Sequence, residues 1–317
     1  MTFDNIKDIQ KNISLASYTT FKIGGTAKYF YLAKNTKDLI KIIEATKQEK
    51  IPFFVLGGGS NILVKDQGFD GLAIKIQSSK FKIQNCNSKF KIICDSGTLL
   101  GKLVQETSKK GIGGLEWFIG IPGTIGGAVY GNAGWPKDKK NIGDFVKNVT
   151  ILKNGAQFTI SNLKCQFGYR DSIFKHNNNV ILSVELQLPK GDSLEIKKRM
   201  REILLTRITN TSQGNSAGCI FKNIKLGTLN KKLFEKYPKL KNVVKNNFIS
   251  AGYLIDQCGL KGKKIGKAIV SEKHANFIIN TGQAKAEDVV MLISLIKQKV
   301  RDKFNVQLQE EIQYIGF

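Results

Sequence analysis

Residues 111–134, GIGGLEWFIGIPGTIGGAVYGNAG, hold nine glycines in 24 positions, and the residues between them include Ile, Leu, Trp, Phe, Val and Tyr. A flexible linker is polar between its glycines. This segment is apolar, which predicts that it lies inside the protein. Glycine there supplies positive φ at tight turns, or lets a backbone approach something large and flat. A second run, Gly57-Gly58-Gly59-Ser60-Asn61, follows the apolar stretch Ile51-Pro52-Phe53-Phe54-Val55-Leu56. Together the two runs point to a chain built to wrap a nucleotide cofactor.

A chain of 317 residues with 41% hydrophobic and 24% charged residues reads as a soluble globular protein of about two domains. It has no run of 18 apolar residues, so no membrane span is expected. The first ten residues lack the charged-then-apolar order of a secretory signal, and a cytoplasmic location is expected. The net charge of +25 invites a nucleic-acid reading, but only five of the 50 basic residues are arginine. Base readout and bidentate phosphate contacts favour arginine. The lysines are scattered, so nucleic-acid binding is not expected, whereas attraction of small anions such as nucleotides is. Cys86, Cys94, Cys165, Cys219 and Cys258 are odd in number and form no CxxC, which argues against a disulfide framework and a zinc ribbon. With only His176 and His274 besides, no metal site is expected. A monomer is expected.

Periodicity gives an α+β class. A helix capped within Thr36-Lys37-Asp38 leads into a strand at 51–56. Short strands follow at 61–64, 72–76, 81–83 and 90–94, then at 149–152, 157–160 and 180–188. Helices are predicted at 99–110, at 194–206 as an inter-domain connector, and at 286–304, where apolar residues recur at i, i+3, i+4. A closing strand at 306–315 alternates Val306, Leu308, Ile312 and Tyr314 with Gln307, Gln309, Glu311 and Gln313.

The triple glycine can form a nest of backbone N–H groups for a pyrophosphate. It fits neither a dinucleotide fingerprint nor a Walker A loop; alone it reads better as a plain tight turn, and only its pairing with the second glycine segment favours the cofactor. Within the longer segment, Ile121-Pro122-Gly123-Thr124-Ile125-Gly126-Gly127 and Asn132-Ala133-Gly134 offer main-chain groups at close approach. An isoalloxazine ring needs flat apolar walls and main-chain partners along its polar edge. Arg170, in Gly168-Tyr169-Arg170-Asp171-Ser172, is either a bidentate clamp for a carboxylate or part of a surface turn with Asp171. Cys219 is either a proton donor or an inert buried thiol. Glu311 is either a catalytic carboxylate or an exposed strand residue.

The chain resembles the UDP-N-acetylenolpyruvoylglucosamine reductase family. The resemblance runs from about Asn12 to Gly316 through residues 18–25, 57–64, 116–127, 169–172, 251–256, 274–276 and 311–316, in that order. It implies a PCMH or vanillyl-alcohol-oxidase-like FAD-binding fold in two subdomains (about 1–78 and 79–192), then an α+β substrate domain (193–317). It implies non-covalent FAD held by residues 57–61 and by Ile121, Pro122, Gly123, Thr124, Gly126, Gly127, Asn132, Ala133 and Gly134. NADPH reduces the flavin, which passes hydride to the enolpyruvyl ether of UDP-N-acetylglucosamine-enolpyruvate to give UDP-N-acetylmuramate for peptidoglycan. By family position, Arg170 and Glu311 stabilise the enolate, Cys219 protonates it, and Tyr169, Asn223, Tyr253 and His274 bind substrate. An oxidase of the same fold, acting on a sugar or alcohol, is the alternative. The sequence departs from the family at Cys219, where serine is expected, and at Ile224, where proline is usual. The 49 residues from Arg170 to Cys219 (219 − 170) mark a shorter subtype without an inserted substrate-covering loop.

Overall fold

Helix α1 (Thr36–Gln48) begins at Asn35, whose side chain accepts the Asp38 N–H at 3.0 Å. An Asn cap of this kind satisfies one of the donors that a helix start leaves orphaned. The cap thus lies one residue before the Thr36–Asp38 stretch expected to supply it. This is a computed structural model; it describes all residues except 1, 2, 4, 5, 136, 137, 211, 213, 228 and 229, and the side chains of 230–232. The described residues pack as two units, and the class is α+β as expected.

The first unit comprises residues 1–13, 27–58 and 70–209. One of its sheets runs in the order Gln10–Ser14, Thr26–Ala33, Phe69–Ile76, Phe53–Leu56, with the last two strands parallel. Leu39, Ile42 and Ile43 of α1, spaced to share one helix face, are buried in a core with Leu72 and Ile74 of this sheet. A second, antiparallel sheet runs Ala156–Ser161, Val146–Lys153, Val180–Pro189, Lys89–Asp95, Phe81–Cys86. Val180 and Leu182 join the core under α1, while Ile181, Val184, Leu186 and Leu188 join a second core. Burial on both faces explains why the start of this strand reads as unbroken apolar sequence.

The second core also takes helices α2 (Leu100–Lys109) and α3 (Ile125–Tyr130), and Ile203 of α4 (Ser193–Asn210). The glycine-rich segment is therefore internal, with Phe118, Ile125 and Val129 fully buried. Its Gly126 and Gly127 lie in the first turn of α3, which Thr124 caps by accepting the Gly127 N–H at 3.3 Å. Helix α4 is not a free connector. Glu116, 4% exposed, accepts Arg199 at 2.9 Å and the Gly114 N–H at 2.5 Å, and Arg199 lies 4.6 Å over the Trp117 ring. These contacts fasten α4 to the glycine segment, so the first unit ends at Thr209 rather than at the 192/193 boundary read from the sequence.

The second unit comprises residues 14–26, 59–69 and 210–317. Two pieces of the N-terminal half thus belong to it. Phe21, Ile23 and Leu63 sit in one core with residues from helices α6 (Ala251–Gln257) and α7 (Ala286–Phe304); α5 (Asn230–Lys236) precedes them in the chain. The Asp66 carboxylate accepts the Ala286 N–H at 2.8 Å and the Glu287 N–H at 3.0 Å, at the start of α7. The closing strand is shorter than the alternation predicted. Only Gln313–Ile315 forms a ladder, parallel to Ile62–Val64, and Glu310 makes a single bridge to Phe221. Leu308 and Ile312 are buried, but Tyr314 is exposed. A short parallel partner ends the ladder before the alternation ends.

Candidate functional site

Within the first unit the two glycine runs meet. A Cβ on Gly58 would stand 2.4 Å from the Gly123 Cα, and one on Gly57 would stand 2.7 Å from the Thr124 hydroxyl. A Cβ on Gly126 would stand 2.8 Å from Ser96 Cβ. These positions are glycine because neighbouring chain stands where a Cβ would go, main chain at Gly58 and Gly126 and the Thr124 side chain at Gly57, a requirement that holds without any ligand. The expected amide donors are engaged: Ile125 N–H bonds Thr98 O and Gly126 N–H bonds Ser96 O, both at 2.8 Å. Gly127 differs. It is exposed, and a Cβ there would find only the Thr124 hydroxyl, at 3.7 Å. The Lys75 ammonium donates to the Gly57 carbonyl, and burial lowers its pKa. The accessible positions of the two loops, Gly57, Gly58, Gly123 and Gly127, carry no side chain and so present main chain as a floor. Such a floor fits a broad, flat cofactor such as FAD.

Arg170 belongs to this unit and is built into the end of the glycine segment. Its backbone has φ +54°, a conformation that costs a non-glycine residue about 1–2 kcal/mol. Mutual bonds between Gly168 and Asp171 (3.0 and 3.3 Å) close the turn, and Lys175 donates to the Arg170 carbonyl at 2.8 Å. The guanidinium reaches Asn132 O at 3.5 Å and Gly134 O at 3.2 Å, and lies 5.5 Å over the Tyr169 ring. Asn132, 4% exposed, ties the same parts together, donating to Gly168 O at 2.7 Å and accepting the Gly143 N–H at 3.0 Å. The Asp171 carboxylate is held by His176 at 2.9 Å. The arginine thus sits in a tight turn, and its guanidinium is oriented by carbonyls of the segment. Ile121 is half-buried, Pro122 is exposed, and the Ala133 N–H closes α3 on Ala128 O at 2.8 Å.

Within the second unit, Cys219 and Glu311 are brought to neighbouring segments. Cys219 bridges Phe277, Ile220 O accepts the Glu311 N–H at 2.7 Å, and Lys222 N–H reaches Gln309 O at 2.9 Å. Cys219 and Glu311 are both half-buried, so Cys219 is not sealed in the core, unlike Cys94 and Cys165, which are fully buried. Asn61 joins the same set: its side chain donates to Glu311 O at 3.1 Å and its carbonyl accepts the Gln313 N–H at 2.9 Å. Gly59 has φ +64° and would place a Cβ 2.1 Å from Tyr18 O. Ser60, next to it, is half-buried.

Asn223, Tyr253 and His274 gather at the start of α6. Asn223 accepts the Ala251 N–H at 3.2 Å, Tyr253 N–H bonds Ser250 Oγ at 3.3 Å, and a Cβ on Gly252 would meet the His274 ring at 3.1 Å. Burial pulls the His274 pKa below the ordinary imidazole value, and Lys261 adds to the shift. Ile224, where the family has proline, pairs with Ile249 in a two-residue antiparallel ladder.

Two residues near these groups escaped the sequence reading. Thr20 makes three bonds, its N–H and its hydroxyl to Gly59 O at 3.1 and 3.5 Å and its hydroxyl also to Ser216 O at 2.7 Å. Asn276, 2% exposed, bonds Phe221 in the segment that carries Cys219. Both lie inside motifs 18–25 and 274–276, so motif membership was their only signal; their partners are remote in sequence. Among the described residues no group of His, Cys, Asp and Glu could hold a metal, and no helix is long and apolar enough to cross a membrane.

Residues 27–161 match an FAD binding domain, and residues 209–315 match the C-terminal domain of UDP-N-acetylenolpyruvoylglucosamine reductase. The UDP-N-acetylenolpyruvoylglucosamine reductase of Prochlorococcus marinus (strain NATL2A) is 34% identical over 312 residues, covering 98% of each chain. That of Caldicellulosiruptor bescii is 37% identical over 311 residues, covering 96% of this chain and 90% of the relative. The crystal structure of UDP-N-acetylenolpyruvylglucosamine reductase from Thermus caldophilus superposes with a TM-score of 0.76 at 31% identity, covering 97% of this chain and 99% of that one. With the two matched regions in the same order and the likeness running the full length of both chains, this chain belongs to the UDP-N-acetylenolpyruvoylglucosamine reductase family.

Proposed function

We propose that the chain is an FAD-dependent oxidoreductase that uses NADPH to reduce the enolpyruvyl ether of UDP-N-acetylglucosamine-enolpyruvate to UDP-N-acetylmuramate, for peptidoglycan synthesis in the cytoplasm. The observation that carries this reading is end-to-end similarity to reductases of that name, at 34% identity over 98% of both chains. Bound FAD supplies the chemistry that passes an electron pair from NADPH to the ether. The main-chain floor at residues 57, 58, 123 and 127 would hold the cofactor.

The chain's own groups handle the charge and the proton. Addition of hydride to the methylene carbon makes it a methyl group and leaves an electron pair spread into the pyruvyl carboxylate. A guanidinium oriented by two carbonyls meets that charge without reorganising, which lowers its cost. Cys219 then gives its proton to the adjacent carbon. Glu311 is assigned with Arg170 to the same anion. Tyr169, Asn223, Tyr253 and His274 are assigned to substrate binding, and His274 enters that role uncharged at neutral pH because burial disfavours its proton.

The decisive measurement is NADPH oxidation by the FAD-loaded protein, with and without the enolpyruvyl sugar nucleotide. Turnover that depends on the nucleotide and forms UDP-N-acetylmuramate supports the reading. Oxidation of a sugar or alcohol with oxygen, without use of the nucleotide, overturns it. The cofactor floor has its own test at Gly127. Because a Cβ there makes only an ordinary contact with the Thr124 hydroxyl and alanine favours a helix by about 1 kcal/mol over glycine, Gly127→Ala should leave the apoprotein at least as stable. It should weaken FAD retention, measured by flavin fluorescence on dilution. Unchanged retention would remove Gly127 from the cofactor site. Gly58→Ala does not discriminate, because it forces Gly123 apart whether or not flavin is bound.

A further inference from the structure

Asn276 is 2% exposed, and both ends of its side-chain amide bond a single residue of another segment. Its Oδ1 accepts the Phe221 N–H at 2.9 Å, and its Nδ2 donates to the Phe221 carbonyl at 2.8 Å. Its own carbonyl accepts the Ile220 N–H at 2.8 Å. A primary amide has the donor and acceptor geometry of a peptide group, so this side chain does what a further rung of β-ladder would do. It does so where no regular strand is present: Cys219–Phe277 and Phe221–Glu310 are isolated bridges. The same short segment carries Cys219 at one end and receives the Glu311 N–H on Ile220 O.

We propose that Asn276 is a positioning residue of the reductase. It clamps residues 219–221 and so sets Cys219 and Glu311 relative to each other. This rests on the assignment of Cys219 and Glu311 to the enolpyruvyl half of the reaction. A residue that only stabilised the fold would affect flavin loading and both halves together. A positioning residue affects the half that uses Cys219 and Glu311. The Asn276 N–H also reaches His274 Nδ1 at 3.3 Å, and Ser271 Oγ accepts the His274 N–H at 3.2 Å, so the loop has its own support apart from the amide clamp.

The test uses the full-length, FAD-loaded protein with two variants. Asn276→Ala removes the clamp. Asn276→Asp keeps the side-chain volume and the acceptor for the Phe221 N–H, and decides the matter if the alanine variant does not fold. Ionised, its second oxygen faces the Phe221 carbonyl and repels it; protonated, it donates there and restores the pair. In stopped flow, both variants at pH 8 should reduce flavin with NADPH within about twofold of wild type. They should reoxidise with the enolpyruvyl substrate roughly 10–100-fold more slowly, the cost of a misplaced catalytic group. The Asn276→Asp to wild-type rate ratio for reoxidation should rise as pH falls. His274, Glu310 and Glu311 are present in both proteins, so the ratio isolates position 276. Independently of activity, alkylation of Cys219 by iodoacetamide, followed by site-resolved mass spectrometry against exposed Cys86, should speed up severalfold in Asn276→Ala. Wild-type reoxidation together with wild-type Cys219 alkylation in a folded variant overturns the proposal. Changed alkylation with unchanged reoxidation overturns its catalytic part. A wild-type protein that does not reduce the nucleotide at all refutes the proposed function instead.

Discussion

Arg170 shows how a single side chain is fixed by its neighbours. Its backbone is held in a left-handed turn by three bonds from its neighbours, and its fork by two carbonyls of the glycine segment. Lysine at 170 would keep the charge but lose the planar fork. Arg170→Lys and Glu311→Gln should therefore leave NADPH reduction of the flavin intact and slow the enolpyruvyl half-reaction by roughly 10²–10³-fold each. Cys219→Ala should lose roughly 10²–10⁴-fold in turnover while Cys219→Ser keeps much of it, because a hydroxyl can hold the same place. Near-normal turnover in flavin-loaded Cys219→Ala would show that the thiol only packs. His274 gives a stability signature. Its pKa is lower folded than unfolded, so the unfolded chain binds the proton first as pH falls through the ordinary imidazole value near 6.5. The stability it confers is present above that value and is lost below it, down to the folded pKa. The denaturation midpoint of wild type should fall relative to that of His274→Gln between pH 7 and 5. Parallel curves would mean that His274 is not held in its neutral form.

The elements are set by caps and close approaches more than by helix and strand preference alone. Helix α7 has the i, i+3, i+4 apolar pattern that any amphipathic helix needs, and Val289, Leu292, Ile293, Ile296 and Val300 are buried as that pattern predicts. Its first N–H groups, however, are met by Asp66, 220 residues away in the chain. Removing that carboxylate orphans two donors and takes away a negative charge from the helix N-terminus. Asp66→Ala should cost about 0.5–2 kcal/mol of stability, with Asp66→Asn costing less, as read by chemical denaturation. Two transitions with only one of them shifted would assign the loss to the second unit. Asn35 caps α1 from next door in sequence, so that cap sits within a residue of where local reading put it; Asp66 could not be found that way.

Across the whole molecule, the +25 net charge acts at a distance on anionic ligands. The proposed hydride donor NADPH and the proposed sugar-nucleotide substrate are both anions. Their kcat/KM should fall as ionic strength rises from 0.01 to 0.15 M, where the Debye length shrinks from about 30 to about 8 Å, while kcat stays nearly constant. Salt-independent kcat/KM would mean that the lysines are only a solvated coat. The sequence by itself determined the α+β class, the main helices and strands, and the two glycine runs, because each depends on local periodicity or on a residue type that only tight backbone approach requires. It also carried enough ordered motifs to name the family. Only the tertiary structure decided that residues 14–26 and 59–69 build the second unit, that α4 belongs to the first, and that the closing strand pairs over three residues. It alone showed that Gly58 is glycine because Gly123 lies against it, and that Asn276 clamps the segment of Cys219. Those facts rest on contacts between residues 55 to more than 200 positions apart, and no local pattern records which distant partner a side chain will meet.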